Sequence, residues 1–357
     1  MKLSLTAPLL ALSLFACQVR ISEITPAGAP AATLPPSRPT ATLAPTSETL
    51  SSSSLTGRLL YTQGAEGLWE IDFDTGASGQ LWELPERAFL GGITASPDGT
   101  QLVLAYAEPP PEGTPQLGAT SIFLADQDGA NLQPLLERTV QYESFINPVW
   151  SHDGRWLYFT HSRPLYDEND TITGISMNIE RVAFDGSAPE VIIESSQQPA
   201  VSHDVTRIVY ILFNFETFGQ SLWAADADGG NAVELVSGGA FFALAGPRIS
   251  PDGQRVVFAA SGELADASSG LMSELIAQLA APAAEAHGPP WELWSVPIAG
   301  GELTQLTNLA TDSPWPAWSP DGQHIALVYP GGVALLQDGD PVLLAEATQH
   351  GEMVWTP

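Results

Sequence analysis

The side chains with most to offer chemically are carboxylates, and two short segments space them alike. Asp126-Gln127-Asp128-Gly129-Ala130-Asn131 and Asp226-Ala227-Asp228-Gly229-Gly230-Asn231 share an Asp-x-Asp-Gly-x-Asn pattern. Oxygen ligands at alternate positions begin a calcium loop, but such a loop needs further carboxylates and a bidentate one downstream. Neither segment supplies them, and the same spacing suits a tight turn between strands. Asp167-Glu168-Asn169-Asp170 is denser in acid and reads as a solvated loop. The six histidines are scattered, and His152 and His203 each occupy the second position of a repeated turn. No metal ligand set and no cofactor site is expected from these residues.

The chemistry that the chain lacks narrows the field. Lys2 is the single lysine, so Schiff-base, phosphate-loop and kinase-type lysines have no place in the folded body. No Gly-x-Ser-x-Gly elbow and no His-Glu-x-x-His pair occurs. Cys17 is the single cysteine, which excludes intrachain disulfides, thiolate zinc sites and a cysteine nucleophile further along. No catalytic residue is assigned, and no ligand-binding residue is legible.

Cys17 instead belongs to an address. Lys2 precedes a mostly apolar stretch from Leu3 to Ala16, too short to span a bilayer and suited to a signal-peptide core. It ends in Leu14-Phe15-Ala16-Cys17, which resembles a bacterial lipobox, with Phe15 bulkier than usual at its position. The expectation is a signal peptide over 1–17 and lipid attachment at Cys17. Residues 18–57 are rich in Pro, Thr, Ser and Ala, with no aromatic residue between Phe15 and Tyr61. Such a segment cannot bury enough apolar surface to offset its ordering entropy, and it reads as a disordered tether.

Charge says more about what the chain avoids than what it meets. There are 41 acidic residues against 12 basic ones, a formal net charge of −29. Nucleic-acid binding draws on Lys and Arg neutralising phosphates, so nucleic acid is excluded as a partner. Anionic lipid headgroups are disfavoured too, leaving the N-terminal lipid as the one membrane contact.

A repeated tetrad shows what must position everything else. Ser96-Pro97-Asp98-Gly99 is followed by Ser151-His152-Asp153-Gly154, Ser202-His203-Asp204-Val205, Ser250-Pro251-Asp252-Gly253 and Ser319-Pro320-Asp321-Gly322. Trp355-Thr356-Pro357 looks like a sixth copy cut short. Proline presets φ, aspartate bonds nearby backbone donors, and glycine takes the left-handed conformation that closes the turn. Each full copy leads into a β-branched or aromatic run such as Arg155-Trp156-Leu157-Tyr158-Phe159 or Arg255-Val256-Val257-Phe258. Third and fourth strands follow, as in Ser221-Leu222-Trp223 and Glu190-Val191-Ile192-Ile193. Four antiparallel strands at this period describe a propeller blade.

Counting predicts an all-β fold, a six-bladed β-propeller over 58–357. Residues 58–84 hold three strands without a preceding anchor, while Met353-Val354-Trp355 has an anchor without following strands. Together they complete one blade and join the chain ends in a single sheet. The anchors at 250 and 319 are separated by 69 residues, which localises an insertion in the fifth blade at about 262–290. Leu271, Leu275 and Leu279 lie four apart within it, predicting a short amphipathic helix that either caps its own blade or docks at a propeller mouth.

The aromatic-Ser-Pro-Asp-Gly signature, as in Trp318-Ser319-Pro320-Asp321-Gly322, resembles the WD-like propeller repeat of the TolB periplasmic protein family over essentially all of 58–357. That resemblance implies an envelope protein engaged in protein assemblies, although nothing matches the N-terminal domain that accompanies TolB itself. The expected function is a lipid-anchored, extracytoplasmic, non-catalytic module of the cell envelope that binds a protein, peptide or glycan or serves as a scaffold. The alternative is a channel-based small-ligand sensor or a hydrolase-type propeller enzyme, which needs charged side chains on the innermost strands. Asn147-Pro148-Val149-Trp150, Gly246-Pro247-Arg248-Ile249 and Trp315-Pro316-Ala317-Trp318 are apolar and aromatic there, with Arg248 the main charged exception.

Overall fold

The computed structural model describes residues 55–114, 118–214, 217, 219–262, 290–347 and 351–357. Strands follow one another in groups of four. After β1 (Arg58–Thr62), β2 (Leu68–Asp72) and β3 (Ser78–Trp82) come β4 (Phe89–Ala95), β5 (Gln101–Ala107), β6 (Ser121–Asp126) and β7 (Gln133–Leu136). The third blade holds β8 (Ser144–Trp150), β9 (Trp156–Tyr166), β10 (Ile172–Ala183) and β11 (Glu190–Ile193). The fourth holds β12 (Ser196–Val201), β13 (Arg207–Asn214), β14 (Gly219–Asp226) and β15 (Val233–Val236). The fifth holds β16 (Ala243–Ile249), β17 (Arg255–Ser261), β18 (Trp291–Pro297) and β19 (Thr304–Gln305). The sixth holds β20 (Trp315–Trp318), β21 (Ile325–Tyr329), β22 (Gly332–Gln337) and β23 (Asp340–Ala345), and β24 (Met353–Thr356) ends the chain.

These strands make six four-stranded antiparallel sheets, the arrangement of a six-bladed β-propeller. The first sheet is composite, in the order β24-β1-β2-β3. Its register sets Leu59 opposite Trp355 and Tyr61 opposite Met353. Trp355 then stacks on Phe73 at 4.9 Å and donates from Nε1 to the Thr56 carbonyl at 3.0 Å. The predicted helix of the fifth blade, Cys17 and residues 18–54 of the tether lie outside the described residues, whereas its last residues join the fold, with Leu55 buried in the core.

The tetrads recur with one geometry. Each anchor serine donates from Oγ to the aspartate two residues on, at 2.6 Å in Ser96–Asp98, Ser151–Asp153, Ser202–Asp204 and Ser319–Asp321 and 2.5 Å in Ser250–Asp252. The same Oγ accepts the N–H five residues on, closing the turn from inside. These bonds hold all five aspartates below the ordinary carboxylate range, with the serine hydroxyl and local backbone N–H groups outweighing what burial opposes.

Apolar side chains fill the spaces between neighbouring sheets. Leu60 and Leu68 of the first blade meet Leu90, Leu102 and Tyr106 of the second. Phe145, Leu157 and Phe159 of the third pack on Val103, Ala105 and Ile122 of the second. Because both faces of each blade are covered, second strands read as runs without alternation, such as Leu102–Ala107, all buried.

Candidate functional site

Position four before each anchor is occupied in turn by Gly92, Asn147, Gln198, Gly246, Trp315 and, before Thr356, Glu352. The innermost strands bring these residues together in a belt. In β8, β12 and β16 the register slips at this position, and Asn147, Gln198 and Gly246 take φ values of 52°, 55° and 57°. Each is followed by a proline, which cannot donate to a ladder and so sits naturally in a bulge. Left-handed backbone at Asn147 and Gln198 is strain held in place by the surroundings, and such strain concentrates where a structure does its work.

Polar bonds run from blade to blade along the belt. Asn147 Nδ2 donates to Glu352 Oε1, and Thr160 Oγ1 reaches Asn147 Oδ1 at 3.3 Å. Gln198 N–H donates to Thr160 Oγ1 at 2.9 Å, while Gly246 N–H donates to Gln198 Oε1 at 2.7 Å. Glu352 is also tied to the first blade, its N–H donating to Thr62 Oγ1 at 3.0 Å and its carbonyl accepting Thr62 N–H at 2.9 Å. Gly92 leaves room for this carboxylate: a Cβ there would lie 2.9 Å from Glu352 Oε2 and 3.0 Å from Pro148 Cδ.

Two opposite charges meet in the belt. Glu352 is only 4% exposed, and burial pushes its carboxyl up to about 7 against the pull of Arg248, Asn147 and the Ile93 N–H. Arg248 is half-buried, with its guanidinium 5.3 Å above the Trp315 ring and Nη1 donating to the Pro247 carbonyl at 2.9 Å. Burial lowers its proton affinity while Glu352 raises it. The carboxylate thus has neighbours on three blades, Ile93 on the second, Asn147 on the third and Arg248 on the fifth.

A second constellation stands at one corner of the third blade. His161 Nε2 lies 3.0 Å from Glu143 Oε1, and Nδ1 lies 2.8 Å from Glu180 Oε1. Burial disfavours the imidazolium, but the two carboxylates outweigh it and raise the histidine above its ordinary value. Glu143 is itself buried yet held low, because Thr139 N–H and Oγ1, Val140 N–H and His161 all bond to it. Around this corner the surface turns apolar, with Val140, Tyr142, Leu165, Tyr166 and Ile172 between 36% and 48% exposed. Tyr166 stands directly opposite Ile172 in register and its hydroxyl reaches the Gln141 carbonyl at 3.4 Å.

The acidic segments singled out by spacing are turns. Asp126 and Asp226 accept Asn131 and Asn231 side chains at 2.6 Å, and Asp128 and Asp228 accept backbone N–H groups two residues on. Asp167 accepts the N–H groups of Asn169 and Thr171 at 2.8 and 2.9 Å. In Asp128, Asp228 and Asp167 it is Oδ1 that caps the turn backbone. His152 and His203 do sit in the repeated turns, but spacing gave no sign that they meet, with ring centroids 3.7 Å apart across two blades. Burial, then the neighbouring ring, lowers the pKa of His152. Arg248 falls on the belt as the sequence suggested, whereas Glu352 was missed. Counting back four residues from Thr356, as from every anchor serine, would have found it.

No protein-family model and no curated protein matches the chain. Solved structures do. TolB from Acinetobacter baumannii is similar at 15% identity and a TM-score of 0.55, covering 84% of this chain and 67% of that one. A TolB-type protein from Agrobacterium tumefaciens gives 16% identity and a TM-score of 0.52, over 85% and 99% of the two chains. A chain of a nidogen–laminin complex gives 12% identity and a TM-score of 0.56, over 83% and 97%. At these identities the likeness is one of fold alone, and it agrees with the six four-stranded sheets seen here.

Proposed function

We propose that this chain is a lipid-anchored, extracytoplasmic propeller that binds a protein or peptide partner in the cell envelope without catalysing a reaction. The observation that carries the reading is the apolar corner of the third blade. Of the nine large apolar side chains exposed among the described residues, five belong to it: Val140, Tyr142, Leu165, Tyr166 and Ile172. A concentration of that kind on a chain with a net charge of −29 fits a contact site for another macromolecule. The hydrogen bonds of the belt agree with this, since blades tied to one another hold projecting segments in place. The TolB likeness agrees with a role in the envelope, and the nidogen–laminin complex supplies a propeller of this shape engaged with another protein.

The test uses intact cells. A photoreactive residue at Leu165 or Ile172 should crosslink one discrete partner, and the same residue at exposed Val233 on the fourth blade should not. Palmitate label should appear in the wild-type chain and vanish in Cys17→Ser. Equal crosslinking from both blades would end the assignment of the corner, and label that persists in the variant would end the lipid anchor.

A further inference from the structure

The third blade differs from the other five in one respect. Strands β9 and β10 are 11 and 12 residues long, while their neighbours β8 and β11 have 7 and 4. Pairing with β8 stops at Ser162, and pairing with β11 begins at Ile179. Beyond those points Arg163–Tyr166 and Ile172–Ser176 leave the sheet as a two-stranded ribbon, and Met177 and Asn178 continue its open β10 edge opposite residues still paired with β8. A two-stranded ribbon alone is marginally stable in water, and a third strand is what usually stabilises it.

The two edges of this ribbon are not alike. The β9 edge carries Arg163 and Pro164, a charge and a residue without an N–H, which are the devices that keep an edge from pairing. The β10 edge reads Ile172-Thr173-Gly174-Ile175-Ser176-Met177, with no charge and no proline. Its one irregularity lies at the tip, between Ile172 and Gly174, and the register is regular from Gly174 onward. Among the described residues no strand pairs with this side of β10 before Ile179. The Thr173 and Ser176 hydroxyls turn inward, to the Leu165 and Arg163 carbonyls at 3.3 Å. What the outer side presents is backbone N–H and C=O groups in strand conformation.

We propose that this edge, Ile172–Met177, is a strand-addition site for an extended, Lys- or Arg-flanked segment of a partner protein. The proposal rests on the partner-binding reading and names how the partner is held. Main-chain bonds to an open edge supply affinity, and side chains at alternate positions supply selectivity. Apolar contact is ready beside the edge in Tyr166 and Ile172. The flanking charge is required by what bounds the edge, with Asp167, Glu168 and Asp170 exposed at the ribbon tip and Glu194 exposed near its root. A second copy of this chain fits poorly, because it would bring the same acidic tip and another net −29 to the contact.

The test titrates the full chain with three synthetic octapeptides sharing a Thr/Val/Ile core, read by amide hydrogen exchange and by affinity. The first has lysine at both ends, the second has glutamate there, and the third is the lysine peptide N-methylated at alternate residues along one edge. The lysine peptide should bind and slow exchange at Ile172–Met177, with affinity falling as salt rises. Glutamate ends and N-methylation should each weaken it at least tenfold. No binding, or protection elsewhere, overturns the proposal. Binding indifferent to N-methylation means side-chain docking and overturns strand addition, while crosslinking from Leu165 in cells would still uphold the corner as a contact site. Concentration-dependent protection of the same amides without peptide makes a second copy the occupant and overturns the partner segment.

Discussion

Nδ2 of Asn147 donates to the carboxylate of Glu352, joining residues 205 positions apart and fastening the third blade to the last strand of the chain. The bond lies where burial has pushed Glu352 up to about 7 from an ordinary 4.5. An acid whose folded pKa is raised holds more protons folded than unfolded between those values. Its contribution is therefore full below about pH 4.5 and is lost as pH rises to 7, on the order of 3 kcal/mol in all. Glu352→Gln should remove that slope, matching wild type near pH 5 and exceeding it at pH 8. Urea midpoints across this range decide the matter, and parallel curves for the two proteins would show that Glu352 does not titrate in the belt.

Trp355 tests the joined chain ends more directly. It is buried against Phe73 and bonded to the Thr56 carbonyl, and it pairs with Leu59 of β1. Trp355→Ala should cost about 3–5 kcal/mol, the usual range for emptying a buried aromatic site. Trp355→Phe keeps the ring and loses the N–H, so about 1 kcal/mol is expected. Removing residues 352–357 should destabilise the domain further than either substitution. A loss under about 1 kcal/mol for Trp355→Ala would mean that the composite first sheet contributes little to stability.

Much of the architecture was legible because the repeat is local. Turn chemistry in Ser-Pro-Asp-Gly and the apolar run behind it are set within a dozen residues, and they give blade number and strand order without any knowledge of contacts. The part that resisted is what depends on the ring. Asn147, Gln198 and Glu352 are unremarkable polar residues in sequence, and only the convergence of six strands makes them neighbours. The length of β9 and β10 was hidden for a different reason. The apolar run that marks β9 in sequence ends at Phe159, while the strand continues through His161, Arg163 and Pro164 to Tyr166. His161 in fact continues it, with both ring nitrogens taken by carboxylates.

That histidine yields a pH prediction of its own. A raised folded pKa means that the imidazolium's stabilisation is complete below 6.5 and is lost as pH climbs through the folded value. The His161 ring resonance followed by NMR should therefore titrate above the free-histidine midpoint. Glu180→Gln and Glu143→Gln should each move it down, and the double variant further than either. A midpoint at or below 6.5 in the wild type would show that burial wins over the two carboxylates.

The third tetrad carries Val205 where the other four have glycine, and the turn forms nonetheless. Val205 N–H donates to the Ser202 carbonyl at 2.9 Å, as Gly99, Gly154 and Gly322 do to their own serines. It does so at a φ of 57°, where the glycines take 70–72°. A β-branched residue in the left-handed region is strained by about 1–2 kcal/mol, and glycine forfeits about 0.5–1 kcal/mol of that in chain entropy. Val205→Gly should thus stabilise the domain by roughly 0.5–1 kcal/mol, whereas Gly253→Val should destabilise it by at least the strain it introduces. Urea unfolding of both variants measures this. If Val205→Gly is neutral or harmful, the Val205 side chain makes packing contacts worth as much as its backbone strain, and the missing glycine is an adaptation of the fourth blade rather than a tolerated defect.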